Sequence, residues 1–379
     1  MKKIIFITVN LNYGGAEIGL LTVLKNIDKK RFDCFVLSIE PKGAIGEEIE
    51  SMGIEVIYLN SKARLYNIPL IWRIARILRN KKPDILHTSL FYANFFGRLA
   101  ALIVKPAVII TEEHSMHVEK RFYHVLLDRW LSNMTDKIRV CARSVLDFTS
   151  RQEGIPKEKF YLIYNAIDTE RFNIYCTKND ARKLAGFAVD DFLIGSVGSL
   201  IPLKGHRFLI EAVSCIVSEI PRLKLVIAGG GKCRDELSAL AEAKGISEKI
   251  VFLGVRKDIP QLMKMMDLFV FPSLQEGFPC AVIEAMYMGL PVIASNISGI
   301  PEVITSGNNG ILVEPGNAQT IGENILTLYR DENLRNRLGR EAKAKIESAY
   351  LPFHYIKRLE ALYDELVSKK KDLDRKNVE

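Results

Sequence analysis

The stretch that most restricts the fold runs from Leu268 to Met288. Leu268-Phe269-Val270-Phe271 is an uninterrupted apolar run, the pattern of a strand covered on both faces. Pro272 and Ser273 end it, and Gly277 and Pro279 punctuate a loop. From Ala281 to Met288 the apolar spacing becomes helical, and Gly289 and Pro291 stop the helix. Glu276 therefore sits in the loop and Glu284 within the helix, eight positions on. Unpaired N–H groups at such a junction favour anions, and carboxylates beside them can orient hydroxyl groups or stabilise positive charge. Together these features point to a site for a phosphorylated sugar.

The strand–loop–helix unit recurs. Lys3–Val9 leads through Asn10–Tyr13 into Gly14-Gly15-Ala16-Glu17 and a helix, the opening of a doubly wound sheet. Further strands are expected at Cys34–Ile39, Val56–Leu59, Ile85–His87, Val108–Thr111, Lys137–Cys141 and Tyr161–Tyr164. After a polar stretch over 173–190 they resume at Leu193–Val197, Leu223–Ala228, Ile250–Leu253 and Leu268–Phe271. Helices are expected at Glu47–Met52, Ile68–Arg79, Val118–Asn133 and Leu351–Val367. Open parallel sheets bind ligands beyond the carboxyl ends of their strands, which places His87, with its strand ending there, and His114 at or near a cleft. Gly14, Gly15, Gly229 and Gly231 suit close approach of a ligand to the backbone.

The 379 residues fit two domains, and 48% hydrophobic content suffices for two cores. No run of eighteen apolar residues occurs, and Met1–Val9 lacks a small-residue cleavage site, so a first buried strand is expected there. Six scattered cysteines without a C-x-x-C pair argue against zinc and disulfides, and a cytoplasmic location is the default. Residues 1–170 hold 25 Lys and Arg against 19 Asp and Glu, so most of the net charge of +8 lies in the first half. That suits a polyanion or an anionic membrane surface; nucleic acid is the weaker reading, because no helix-turn-helix, zinc-finger or RNP-like pattern accompanies the charge. Ile68–Arg79 sets Trp72 beside Arg73, Arg76 and Arg79, either as a lipid-interface helix or as a sheet-flanking helix with a solvated basic face.

Embedded in EGFPxxxxEA and followed by Gly289-Leu290-Pro291-Val292-Ile293-Ala294-Ser295, the two glutamates strongly resemble those of the retaining glycosyltransferases of family four. The Gly14–Glu17 tetrapeptide resembles the N-terminal glycine loop of that family. Asn165–Phe172 resembles the segment closing its first domain, with Ala166 in place of the usual glycine. Gly198–Gly205 resembles its diphosphate-gripping segment; Lys204 and Gly205 match, but Ser199 stands where arginine is usual. Either Ser199 and the Gly198 backbone supply hydrogen bonds there, or a base such as Arg207 or Arg256 compensates.

The resemblance spans nearly the whole chain and implies an α/β, GT-B architecture, two Rossmann-like domains with parallel sheets facing across a cleft. The implied division is an acceptor-side domain over 1–170, a hinge over 171–190, a nucleotide-sugar domain over 191–350 and a C-terminal helix over 351–379 returning to the first. It implies transfer of a hexose or N-acetylhexosamine from a nucleotide-diphosphate sugar, with UDP preferred, to a hydroxyl of a glycan or lipid-linked glycan, with anomeric retention. By the same analogy Glu276 orients the sugar, Lys204 and the N–H groups around Gly277, Phe278 and Pro279 meet the diphosphate, and Glu284 contacts the ribose. His114 supports the sugar from the first domain, with His117 a weaker candidate. Glu113 and Arg121 are acceptor-side candidates. No metal or other cofactor is expected, and peripheral attachment to the inner membrane face fits the basic first half. The rival readings are a nucleotide-sugar 2-epimerase on the same fold and a non-catalytic nucleotide-sugar binder.

Overall fold

The computed structural model describes residues 1–116 and 120–376, with side chains through Asp372; His117 lies outside the described residues. The chain forms two compact units: Met1–Ala166 joined by the residues from Pro352 onward, and Ile167–Leu351. The first unit contains β1 (Lys2–Thr8), α1 (Gly15–Asn26), β2 (Phe32–Ser38), α2 (Ala44–Ser51), β3 (Val56–Tyr58), α3 (Pro69–Lys81), β4 (Ile85–Ser89), α4 (Phe91–Val104), β5 (Val108–Glu113), α5 (Phe122–Ser132), β6 (Lys137–Val140), α6 (Arg143–Glu153) and β7 (Phe160–Leu162). Its seven strands are parallel in the order β3-β2-β1-β4-β5-β6-β7.

The second unit opens with α7 (Thr169–Phe172) and α8 (Lys178–Leu184). It continues with β8 (Phe192–Val197), α9 (His206–Ile216), β9 (Leu223–Ala228), α10 (Arg234–Ala243), β10 (Ile250–Gly254), α11 (Ile259–Met265) and β11 (Leu268–Phe271). It ends with α12 (Cys280–Tyr287), β12 (Val292–Ser295), α13 (Ile300–Val303), β13 (Ile311–Val313), α14 (Ala318–Arg330) and α15 (Glu332–Ala349). Six parallel strands run in the order β10-β9-β8-β11-β12-β13. The stretch expected to be a hinge belongs to this unit. Lys178 and Arg182 of α8 both pair with Asp267 at 2.5 Å, and the Arg182 Nε–H donates to the Met265 carbonyl, which fixes α8 beside α11.

Both faces of the first sheet are covered. On one, α1, α2 and α16 (Pro352–Lys376) bury Leu21, Ile45, Leu359 and Leu362 against Ile4, Phe6 and Val36. On the other, α3, α4 and α5 bury Leu70, Ile74, Phe96, Ala100 and Leu131 against Ile5, Ile7 and Leu86. Helix α4 is apolar on almost every side, so its sequence lacks the polar–apolar alternation that marks a surface helix. Strand β4 continues two residues past His87. His87 is therefore buried within the sheet layer, not at the strand end, and its Nδ1 lies 2.6 Å from the Tyr363 hydroxyl of α16.

That hydrogen bond joins the last helix to the centre of the first sheet. Tyr363→Phe leaves the buried His87 nitrogen without its partner and should cost about 1–3 kcal/mol. Denaturant unfolding monitored by circular dichroism checks this.

Candidate active site

In each sheet the strand order reverses at one place, between β1 and β4 and between β8 and β11. Loops leaving the carboxyl ends of the strands there diverge and open a crevice. In the second unit these loops carry Ser199 and Lys204 after β8 and Glu276 after β11. The structure brings the latter two together: Lys204 Nζ donates to Glu276 Oε1 at 2.5 Å, and Ser273 Oγ donates to the same oxygen at 2.6 Å. Lys204 also lies over the Phe271 ring, 5.5 Å from its centroid. A cation and a carboxylate 72 positions apart thus meet because their strands are neighbours.

Glycine makes this approach feasible. Gly205 has φ +64°, and a Cβ there would stand 2.0 Å from the Pro272 carbonyl oxygen. The Leu274 N–H donates to the Leu203 carbonyl at 2.8 Å, closing the two loops on each other. Gly229 and Gly231 tell a related story. Cβ atoms at these positions would lie 1.9 Å from the Gly198 oxygen and 2.4 Å from the Leu200 oxygen. The close approach that these glycines permit is by the chain's own loop after β8, pinned further by Leu200 N–H to the Gly230 carbonyl.

Glu284 projects from α12 toward Arg171 of α7, with Nη1 3.8 Å from Oε1. Burial pushes its carboxyl up to about 7, with Arg171 opposing the shift and Asp168 adding to it. Arg171 also donates weakly to the Lys257 carbonyl at 3.4 Å, which places it beside the loop after β10. Sequence reasoning missed Arg171 as a partner of Glu284; its one signal is its place in the Asn165–Phe172 segment.

Phe278 is buried against Tyr350, their ring centroids 6.0 Å apart. Pro279 occupies the N-cap of α12, where no side chain caps the helix. Gly277 is buried beside them, and Ser199 is exposed. Both basic residues named as substitutes for the usual arginine are committed locally. Arg256 forms a two-pronged pair with Asp258 at 2.8 and 2.6 Å, and Arg207 pairs with Glu211 along α9 at 3.3 Å.

In the first unit Gly14 caps α1, and the space for a Cβ there is taken by Glu17 Oε2 at 2.3 Å. Gly15 begins the helix. Burial raises the Glu17 carboxyl, opposed by a backbone hydrogen bond and by His114. His114 follows β5, its Nε2 2.9 Å from both Glu112 Oε2 and Ser89 Oγ. Glu112 also lies 3.2 Å from His87 and 3.6 Å from Arg139. Although burial opposes ionisation, Arg139 and the two histidines hold its carboxyl well below the ordinary range. Glu113 accepts from Asn94 at 3.0 Å. Sequence reasoning assigned neither Glu112 nor Arg139 a role.

Two parallel-sheet α/β units of this topology define a GT-B protein. A family model described as Glycosyltransferase Family 4 matches residues 13–171, and one described as Glycosyl transferases group 1 matches residues 177–345. The chain belongs to the group 1 glycosyltransferases. It is 26% identical to the UDP-Gal:alpha-D-GlcNAc-diphosphoundecaprenol alpha-1,3-galactosyltransferase of Escherichia coli, over 94% of this chain and 97% of that protein. It is also 26% identical to the N-acetylgalactosamine-N,N'-diacetylbacillosaminyl-diphospho-undecaprenol 4-alpha-N-acetylgalactosaminyltransferase of Campylobacter jejuni, over 92% and 96%. The fold matches the crystal structure of Anabaena HepE in complex with UDP, with a TM-score of 0.84 and 23% identity, covering 96% of this chain and all of that one.

Two expectations follow. Gly229→Ala should lower the melting temperature of the ligand-free protein, because the obstruction is the Gly198 carbonyl; differential scanning fluorimetry reads this directly. Glu284, protonated in the folded state at pH values where an unfolded chain ionises it, makes stability fall as pH rises from about 4.5 to about 7. Glu284→Gln should remove that part of the slope, so the wild-type melting temperature drops relative to the variant across this window and levels off above it.

Proposed function

We propose that the protein transfers a hexose or N-acetylhexosamine from a UDP-sugar to a hydroxyl of a glycan or lipid-linked glycan, retaining the anomeric configuration. The observation that carries this reading is the Lys204–Glu276 pair at the crevice between β8 and β11. In this reading the donor diphosphate takes over Lys204. Glu276, an acceptor-only group when ionised, turns to the sugar hydroxyls while Ser273 holds it. Breaking the glycosyl–phosphate bond puts negative charge on the departing diphosphate, and Lys204 with the uncapped N-terminus of α12 opposes it. A phosphate oxygen of the leaving group receives the acceptor proton, so the reading needs neither a protein nucleophile nor a metal. Glu284 accepts from the ribose hydroxyls as a carboxylate, with Arg171 favouring that form. His114, its ring fixed by Glu112 and Ser89, is the first unit's proposed contribution.

The relatives' names support a lipid-diphosphate-linked acceptor and surface-glycan synthesis, since both transferases named above carry undecaprenol-linked substrates in their names. Among the described residues no helix is long and apolar enough to cross a membrane. The proposal places the enzyme at the inner membrane face as a peripheral protein.

Lys204→Ala should weaken UDP binding in calorimetry, and Glu276→Ala should lower kcat by on the order of a hundredfold with UDP affinity nearly kept. Full transfer by the Glu276 variant, or unchanged UDP affinity in the Lys204 variant, would reject the assignment.

A further inference from the structure

Helices α3, α4 and α5 cover one face of the first sheet, and their outer surface differs in charge from the rest of the unit. Between Glu55 and Glu112 the sequence contains a single carboxylate, Asp84, which accepts from the Lys3 N–H at 2.8 Å. Helices α3 and α4 contain no Asp or Glu, and α5 contains only Asp128. Asp128 is buried and turned inward, where it pairs with Arg98 of α4 and, at 2.5 Å, with Lys120. Lys120 also reaches Glu153 of α6 at 2.5 Å. The acid of this layer is thus neutralised inside it, while Arg73, Arg76, Arg79 and Arg129 are exposed.

The same face exposes large apolar side chains. Ile68, the N-cap of α3, and Trp72 stand one turn apart, with Arg76 a further turn on. Phe122, Leu126 and Trp130 form a stripe at four-residue spacing on α5, and Leu102 is exposed on α4 between them. Trp72 is 64% exposed, Trp130 53% and Phe122 76%, far from the mostly buried state usual for such residues. Aromatic side chains among arginines, with no outward carboxylate on these three helices among the described residues, match the interface of an anionic bilayer, where rings seat at headgroup level and guanidinium groups meet phosphates. Against a second copy of the same surface the arginines would face one another.

We propose that the outer face of α3, α4 and α5 is a docking surface for anionic lipid bilayers, with Trp72 and Trp130 entering the interface. The chain has only two tryptophans, and both lie on this face. Intrinsic fluorescence therefore reports the contact without labelling. Added phosphatidylglycerol vesicles should shift the emission of the full chain to the blue, and brominated acyl chains should quench it. Phosphatidylcholine vesicles should do neither, and raising salt should reverse the binding. Arg76→Glu with Arg79→Glu should weaken partition by more than about tenfold while leaving transfer to a soluble acceptor unchanged. Unshifted, unquenched tryptophans with anionic vesicles would overturn the proposal. So would equal binding of the double variant, or self-association that buries the tryptophans without lipid.

Discussion

A parallel strand covered on both faces has little room for polar side chains along its length. The strands of the two sheets, thirteen among the described residues, leave chemistry to the loops at their carboxyl ends, where ligands gather at a reversal of strand order. Lys204 and Glu276 meet because β8 and β11 are neighbours, and Gly205 lets their loops touch. The pair is therefore a product of sheet order as much as of residue type.

This explains how much of the site was legible in the sequence. The strand Leu268–Phe271 was readable to the residue, since four bulky apolar residues bounded by Pro272 have few alternatives. The loop position of Glu276 and the helical position of Glu284 were readable from the local pattern. What motif reading lacks is the third dimension. Nothing local announces that Arg171 would stand against Glu284, or that Glu112 would be shared among His87, His114 and Arg139. His87 was misplaced because hydrophobicity stops at Leu86, whereas the β ladder runs on through Thr88 and Ser89 beside β5. Gly229 and Gly231 were identified as close-approach positions for a ligand, and the neighbour that uses the space is the chain itself.

The two glutamates of the candidate site stand in different electrostatic surroundings. Lys204 and Glu276 neutralise each other, so neither charge stands unpaired before an anion arrives. Glu284 instead stays partly protonated near neutral pH because burial outweighs the distant guanidinium of Arg171. The structure thus surrounds the two carboxylates of a single sequence motif differently, one with a close lysine and a serine, the other with a buried setting and a more distant arginine.

Helix α16 has a consequence for how the molecule is made. Tyr355, Ile356, Leu359, Leu362, Tyr363, Leu366 and Val367 are part of the same core as Ile4 and Phe6. During synthesis every strand of the first sheet leaves the ribosome long before this helix exists. The second unit, wholly encoded between Ile167 and Leu351, has all of its residues available sooner. The unit that begins earlier in the chain is thus completed later than the one that follows it, part of one sheet face waiting for α16.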